Sequence, residues 1–595
     1  MNKIIQINDW LFNMGATALL RLDKSNSIKV DANRLEVPIE WIEGLPERLF
    51  TYLIQKYSRG ENTVNWLVKM KDYAKSNSNE ESKKEQERYK DATKRFLSTV
   101  KESMQKVIKY FPDEIDITEN LEKKCELAVE MKDFEELVKT IDEIKLILLR
   151  SDINEKLTLN YVKAMILAPA SGQVSFLNVT KNKMTREEQQ NLFFRDFIEP
   201  IILENTLRNL LKEANQEELQ SFLHQSEYLI AKEWRKEHKK VKEVEISWFE
   251  RYPKCAALGN EWGTLPYEEK MFMPLGSTSL NDRWDGQESN IQMISPLARL
   301  LLFLSPLGCV NYKKKMHNTM DENVFAFLHI EGDCLETLER NNSFSSIIKA
   351  ENSLVDALQG THKKQLKVED EKRMATVLVE WCTESKVKKT LLEYRWIEEK
   401  FYLYVLNEDY ISKIFPSSFR EQLIQQHLRN YDTKMILQNE LYEQLRKGNL
   451  RNTFSVKQGL IIRELMMGGK NMSTEKGKNL TDQMYNTGFS LRKALTGDGS
   501  TEQVTEQYKA PISKKLDSTI YRILNAAKSG NRKLFFELVI RLNILAGRKV
   551  SKEFTQCLDS TIVNDAKFST ISLAFVAGLM GVNSNKGEKE NGENN

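Results

Sequence analysis

Apolar residues recur at helical spacing through most of this chain. In the opening segment DWLFNMGATALLRL, Trp10, Leu11, Met14, Ala18 and Leu22 fall on one repeat and Asp9 stands where an N-cap belongs, which predicts a largely buried helix. The next stretch, SNSIKVDANRLEVP, alternates in short β-like runs between turn residues and predicts a small sheet. Residues 46–165 return to Lys, Glu, Leu and Ile at helical spacing, with SNSNEESKKEQE at 76–87 as a solvated helix start or mobile loop. Two polar loops break the pattern: LAPASGQVSFLNVTKNK at 167–183 and MPLGSTSLNDRWDGQ at 273–287. Between them a helix pair is expected over about 185–243, ending in a crowd of cations from Lys232 to Lys242. The second loop joins an expected strand region to the most apolar stretch, ISPLARLLLFLSPLGCV. Arg299, Pro296 and Pro306 interrupt that stretch, and it is shorter than the roughly 20 residues that span a bilayer. It reads as a buried core helix, with no membrane partner. From about 365 onward the chain reads as amphipathic helices, pausing at SKIFPSSF, and the tail NSNKGEKENGENN reads as disordered.

Length then sets the organisation. A chain of 595 residues is too long for one ordinary core, and its 41% hydrophobic and 29% charged residues are those of a folded protein. The expected fold is α+β and predominantly helical. A mixed α/β N-terminal body over 1–440 precedes a helical bundle over 441–585 and a disordered tail over 586–595. The formal charge of +3 is nearly neutral, so any electrostatic argument depends on where the charges sit. They are uneven: residues 511–550 carry nine basic side chains against Asp517 and Glu537, a net +7. Six scattered cysteines without a Cys-x-x-Cys pair fit a reducing cytoplasm, and the start MNKIIQINDW lacks the apolar run of a signal peptide.

Several chemistries find no support. None of the six histidines has a His or Cys three or four residues away, Gly469-Lys470 is followed by Asn471 rather than a phosphate-loop Ser or Thr, and no Gly-x-Ser-x-Gly occurs. One enzymatic alternative is a divalent-metal nuclease, because PDEIDITENLEKK sets Asp113, Glu122 and Lys124 in a suggestive order. Such a site needs its acids and lysine on adjacent strands, whereas NLEKKCELAVEMKDF reads as a helix with ordinary surface Glu and Lys pairs. A helical scaffold without nucleic-acid contact is a further alternative.

Three stretches carry a family resemblance. They are the opening NDWLFNMGATALLRL, the central GQVSFLN with its DFIEPII sequel, and the end, YRILNAAKSGNRKLFFELVIRLN with FVAGLMG; PLARLLLFLSPLG adds a fourth segment. Together they resemble the Cst family, the large subunits of type I-B CRISPR Cascade complexes, while 46–150 and 345–440 match poorly. The resemblance implies a non-catalytic subunit that recognises the protospacer-adjacent motif in double-stranded DNA, helps open the duplex and stabilises the R-loop. The implied partners are a guide CRISPR RNA, target DNA, backbone and handle-binding subunits, a helicase-nuclease and a small subunit. The C-terminal bundle is similar to that small subunit, which some genes also make separately from an internal start; Met435, Met466, Met467 and Met472 are suitably placed. Related subunits carry paired Cys-x-x-Cys motifs, but here only Cys255 lies in the comparable region, so neither structural zinc nor any cofactor is expected.

Residue chemistry names the candidate contacts. In the first loop Gln173 and Asn178 can meet base edges, Ser175, Lys181 and Lys183 can meet phosphate, and Phe176 is either a wedge between bases or a core anchor. In the second, Ser277, Thr278, Ser279, Asn281 and Arg283 offer a similar mix. Lys313, Lys314 and Lys315 follow the apolar helix. In the bundle, Arg522, Lys528, Arg532, Lys533, Arg541, Arg548 and Lys549 flank a buried-looking apolar stripe, the arrangement that offers phosphates a basic face.

Overall fold

The computed structural model describes residues 2–581 except 79–81, 214, 239–243, 276–291, 317–319, 352–357, 359–375, 385–388, 399, 407, 448–452, 469–479, 497–508, 551–553, 556–559 and 562. The fold is α+β and predominantly helical, with small antiparallel sheets. The chain divides into two compact units, one of residues 1–342 with 377–394, the other of 343–376 with 395–595. This division falls earlier than the boundary expected after 440, and it gives the helices between 395 and 440 to the second unit. Among the described residues no helix is long and apolar enough to cross a membrane.

The first unit is built around one close helix crossing. Asp9 Oδ1 accepts from Phe12 N at 2.9 Å and starts the helix Trp10–Leu22, as its position in the sequence predicts. This helix packs on the apolar helix Pro296–Gly308, which is buried along nearly its whole length. The two backbones touch because glycine stands at both contacts: a Cβ on Gly308 would lie 1.9 Å from the Met14 carbonyl oxygen, and one on Gly15 would lie 2.3 Å from that of Leu301. Beside them is the predicted N-terminal sheet, β1 (Asn2–Gln6), β2 (Lys29–Asp31) and β3 (Arg34–Pro38) in the order β1-β3-β2. The short strands β4 (Leu265–Pro266) and β5 (Met293–Ile294) pair on either side of the second loop. A four-stranded sheet follows, β6 (Val310–Met316), β7 (Met320–Ile330), β8 (Thr376–Glu384) and β9 (Lys389–Ile397) in sequential order. Residues 376–384 and 389–397 are therefore strands, where amphipathic helices are expected from the sequence. Helices Arg59–Ser76, Lys83–Tyr110, Ile115–Glu130 and Phe134–Leu148 close a separate core around Leu67, Phe96, Met104 and Ile144.

A buried polar cluster ties this unit's N-terminal strand to its middle. Lys3 Nζ pairs with Glu261 at 2.9 Å, and Glu204 receives Arg208 Nε at 3.0 Å, Trp262 N at 3.1 Å and the Tyr228 hydroxyl at 3.2 Å. Burial first, then the charge of Glu261, raises the Glu204 carboxyl to about 7, and the two carboxyls share a hydrogen bond. A carboxyl raised in the fold above its usual 4.5 stabilises fully below that value, and its contribution is lost as pH rises through about 7. Buried His329, lowered to about 4 by desolvation, acts in the opposite direction over the same range, so a variant isolates the Glu204 contribution. Glu204→Gln, a permanently neutral group, is expected to gain stability relative to wild type by on the order of 2 kcal/mol between about pH 5 and pH 8. Urea denaturation at each pH checks this.

The second unit surrounds the helix Asp565–Met580, buried without interruption from Phe568 to Met580. A helix apolar on every side has no solvated face and belongs at the centre of a bundle. It is packed by helices Thr453–Met466, Leu480–Thr496 and Lys509–Ser529. Glycine again permits the closest approach, since a Cβ on Gly578 would lie 1.9 Å from the Tyr485 carbonyl oxygen. Arg463, 3% exposed, crosses the bundle from Asp432, which it grips at 2.5 and 2.7 Å, to the Ala566 carbonyl and the Thr570 hydroxyl. Phe535, Phe536, Phe554, Phe568 and Phe575 fill one end.

Candidate nucleic-acid interface

The first loop begins where a helix is forced to stop. After the turn Ala168–Ser171, Gly172 takes φ +61°, and two short 3-10 turns, Ser175–Leu177 and Val179–Lys181, follow before Thr185 caps the helix Arg186–Phe193. Phe176 decides how the loop is held. Its ring is fully buried, 5.1 Å from Phe50, 5.9 Å from Phe303 and 6.0 Å from Phe193 between ring centres. It is a core anchor, and the wedge reading is corrected, because reaching a base would require extracting the ring from three aromatic neighbours. Leu177 is buried with it. Ser175 sits at φ +52° with its hydroxyl buried and without a hydrogen-bond partner, so it is not displayed to phosphate. Asn178 spends its amide oxygen on Thr180 N and Oγ1, at 3.0 and 2.9 Å, which leaves its amide nitrogen. Gln173 and Lys183 are exposed, and Lys181 is half-buried.

Two cations that sequence reading passed over lie beneath this loop. Lys156 Nζ donates to the carbonyl oxygens of Lys183 and Met184, both at 2.7 Å. Lys163 is 3% exposed, 3.4 Å from Asn182 Oδ1 and over the Phe176 ring; burial, then the charge of Lys156, lowers it to about 8. Both sit at helical positions that pattern alone assigns to an ordinary charged face. An open groove of about 960 Å³ borders the loop, with Tyr110 and Phe111 on one wall and Lys183 on another. Arg186, also in its lining, is held by Glu47 and Glu155 at 2.5 and 3.1 Å.

The remaining N-terminal candidates contribute less. Ser277, Thr278, Ser279, Asn281 and Arg283 lie outside the described residues. Lys313, Lys314 and Lys315 lie on β6, and only Lys313's side chain is described, as exposed. In backbone register, Lys314 stands opposite Glu322 and Lys315 opposite Asp321. In the upstream cation crowd, Lys232 pairs with Glu227 at 2.6 Å, and Lys239, Lys240 and Lys242 are outside the described residues. Asp113 lies on a 3-10 turn and Glu122 on a helix, while Lys124 is held by Glu143 at 2.8 Å. These are not the adjacent strands that the nuclease reading requires.

The second unit gathers the strongest charge. On helices Lys509–Ser529 and Arg532–Leu545, the residues Arg522, Lys528, Lys533 and Arg541 are exposed, and Arg548 and Lys549 are exposed in the turn that follows. Of the apolar stripe expected from Leu534 to Ile540, Phe535, Phe536, Leu538 and Val539 are buried, whereas Leu534 is half-buried and Ile540 is 39% exposed; Ile523 and Leu524 are buried beside it. Arg522, Lys533, Arg541, Arg548 and Lys549 have no ion-pair partner among the described residues. Arg532 differs: its guanidinium pairs with Asp565 at 2.8 Å and lies over the Phe568 ring, so it belongs to the bundle's packing and is withdrawn from the interface. Ile544 and Leu545, 71% and 75% exposed, share the basic face. No protein-family model matches the chain, and no curated protein matches it.

Proposed function

We propose that this chain is the non-catalytic large subunit of a type I-B CRISPR RNA-guided surveillance complex, acting in the cytoplasm in antiviral defence. The observation that carries the nucleic-acid reading is the basic face of the second unit, where unpaired exposed cations stand over a buried apolar stripe. An isolated surface gains nothing from holding like charges together; a polyanion releases counterions when it meets them. The resemblance of the chain's opening, central motif and end to that family supplies the rest of the reading. Guide RNA, backbone and handle-binding subunits position the chain on target DNA, base pairing reads the sequence, and a recruited helicase-nuclease does the cutting. In this reading the loop beginning at Gly172 tests the adjacent motif, with the Gln173 amide and the Asn178 amide nitrogen as its base-edge groups. A separately translated small subunit repeats the bundle.

The test reconstitutes the complex with guide RNA and measures binding of matched duplexes across a library of flanking sequences. Wild type is expected to prefer particular flanks. Gln173→Ala is expected to lose that preference by about tenfold while still binding pre-opened DNA, since one bidentate base contact contributes about 1–3 kcal/mol of discrimination. A variant that discriminates like wild type moves motif reading away from this loop. Failure of the chain to assemble with guide RNA and backbone subunits overturns the proposal as a whole.

A further inference from the structure

The turn that closes helix Arg532–Leu545 also builds a cavity. Gly547 takes φ +63°, its N–H donates to the Ile544 carbonyl at 3.0 Å, and Arg548 N donates to that of Asn543 at 2.9 Å. This glycine-closed helix end folds Arg548 and Lys549 back beside helix Leu480–Thr496, at a helix C-terminus that favours positive charge whether or not a ligand is bound. Between them lies a cavity of about 250 Å³, lined also by Thr487, Ser490 and Asn543 over a floor that includes Leu491 and Phe554. Among the described residues no acidic side chain lines it.

The hydrogen-bonding capacity of this lining is divided. Thr487 Oγ1 donates to the Gln483 carbonyl at 2.9 Å, Ser490 Oγ to that of Asn486 at 2.7 Å, and Asn543 Nδ2 to that of Val539 at 2.9 Å. With those protons committed, the Thr487 and Ser490 hydroxyls offer only lone pairs, while Asn543 keeps its amide oxygen and one further N–H. Arg548 and Lys549 are donors only. A ligand that fits presents an oxyanion to the cations and hydroxyl donors to the acceptors. An inorganic anion satisfies the first half alone, and a deoxyribose backbone unit lacks the hydroxyl for the second. At about 250 Å³ the cavity lies below the range of pockets that enclose whole drug-sized ligands, roughly 300–1,000 Å³, so a base would remain outside.

We infer that this cavity is a site for one ribose-phosphate unit of a single RNA strand, with the phosphate on Arg548 and Lys549 and the 2′-hydroxyl donating to Thr487, Ser490 or Asn543. The inference rests on the nucleic-acid reading above and deepens it. It gives the second unit a site that distinguishes RNA from DNA without regard to sequence, since the 2′-hydroxyl is the group by which a protein tells the two apart.

The experiment uses the full chain and fluorescence anisotropy of labelled single strands of one sequence, as RNA and as DNA. Wild type is expected to bind the RNA about tenfold more tightly, the effect of one well-placed hydrogen bond. Ser490→Leu, which fills the cavity and removes an acceptor, is expected to bring RNA affinity down to the DNA level while DNA affinity holds; Thr487→Val, nearly isosteric, tests the acceptor without filling the space. Equal wild-type affinity for the two strands, or an RNA preference that survives both substitutions, overturns the inference and leaves general strand binding intact. If wild type binds neither strand, the broader reading fails. Ribose 5-phosphate titrated against the chain by calorimetry then decides the cavity alone: heat lost in Arg548→Gln sustains a free sugar-phosphate site, and no heat overturns it.

Discussion

Replacing Gly578 with alanine is expected to destabilise the second unit by about 3 kcal/mol or more, and replacing it with leucine is expected to abolish that unit's cooperative fold. Helix propensity alone predicts the opposite sign, since alanine inside a helix is favoured over glycine by about 1 kcal/mol. The collision decides the outcome. A Cβ at this position lies 1.9 Å from the Tyr485 carbonyl oxygen, and the obstructing atom is backbone, so no side-chain rotation relieves it. Gly488 faces Phe575 in the same way at 2.2 Å, so the two helices cannot exchange the burden between them. Hydrogen exchange followed by mass spectrometry checks the prediction. Amides in Asp565–Met580 and Leu480–Thr496 lose protection in Gly578→Leu, while those in Pro296–Gly308 of the first unit keep it. Protection retained in both helices of the second unit would show that the crossing tolerates a side chain and that close approach is not what holds it.

Where local chemistry decided an element, the element was legible. Asp9 had to cap the first helix because Phe12 N needed an acceptor, and the run from Pro296 to Gly308 had to be buried because it has no polar face. The four-stranded sheet was hidden for a physical reason. In β8 the side chains from Val377 to Cys382 are buried in succession, Glu380 included, so no alternation marks a strand. In β9 the alternation is inverted, with Arg395 buried and Tyr394 and Trp396 exposed, which reads from sequence as the wrong face. Helix Lys434–Lys447 belongs to the second unit through packing that sequence pattern does not display, such as Leu437 against Gly459. The site was legible in residue type and not in role. Phe176 and Arg532 both suit nucleic acid, and both are taken by partners distant in sequence, Phe50 and Phe303 for one and Asp565 for the other.

Substituting glutamine for Arg522, Lys528, Lys533 and Arg541 together is expected to weaken binding of a single strand by roughly two orders of magnitude at about 0.15 M salt. The dependence of log affinity on log salt should become shallower by about 3, because each lost phosphate contact on a single strand removes about 0.7 from that slope. Stability should hardly change, since all four side chains are exposed, their apolar neighbours stay buried, and the one ring contact among them, Lys528 over Tyr442, is an exposed one of small effect. Arg532→Gln is the opposing control. It removes a guanidinium stacked on Phe568 and paired with Asp565, so it is expected to lower stability by about 1 kcal/mol and leave the salt slope unchanged. The two variants thus separate charge that waits for a ligand from charge already used by the fold. Anisotropy titrations from about 0.05 to 0.3 M salt, beside thermal unfolding of the same samples, make the comparison. A quadruple variant with the wild-type slope would reduce this face to ordinary solvated surface, because removing four cations that touch phosphate cannot leave counterion release unaltered.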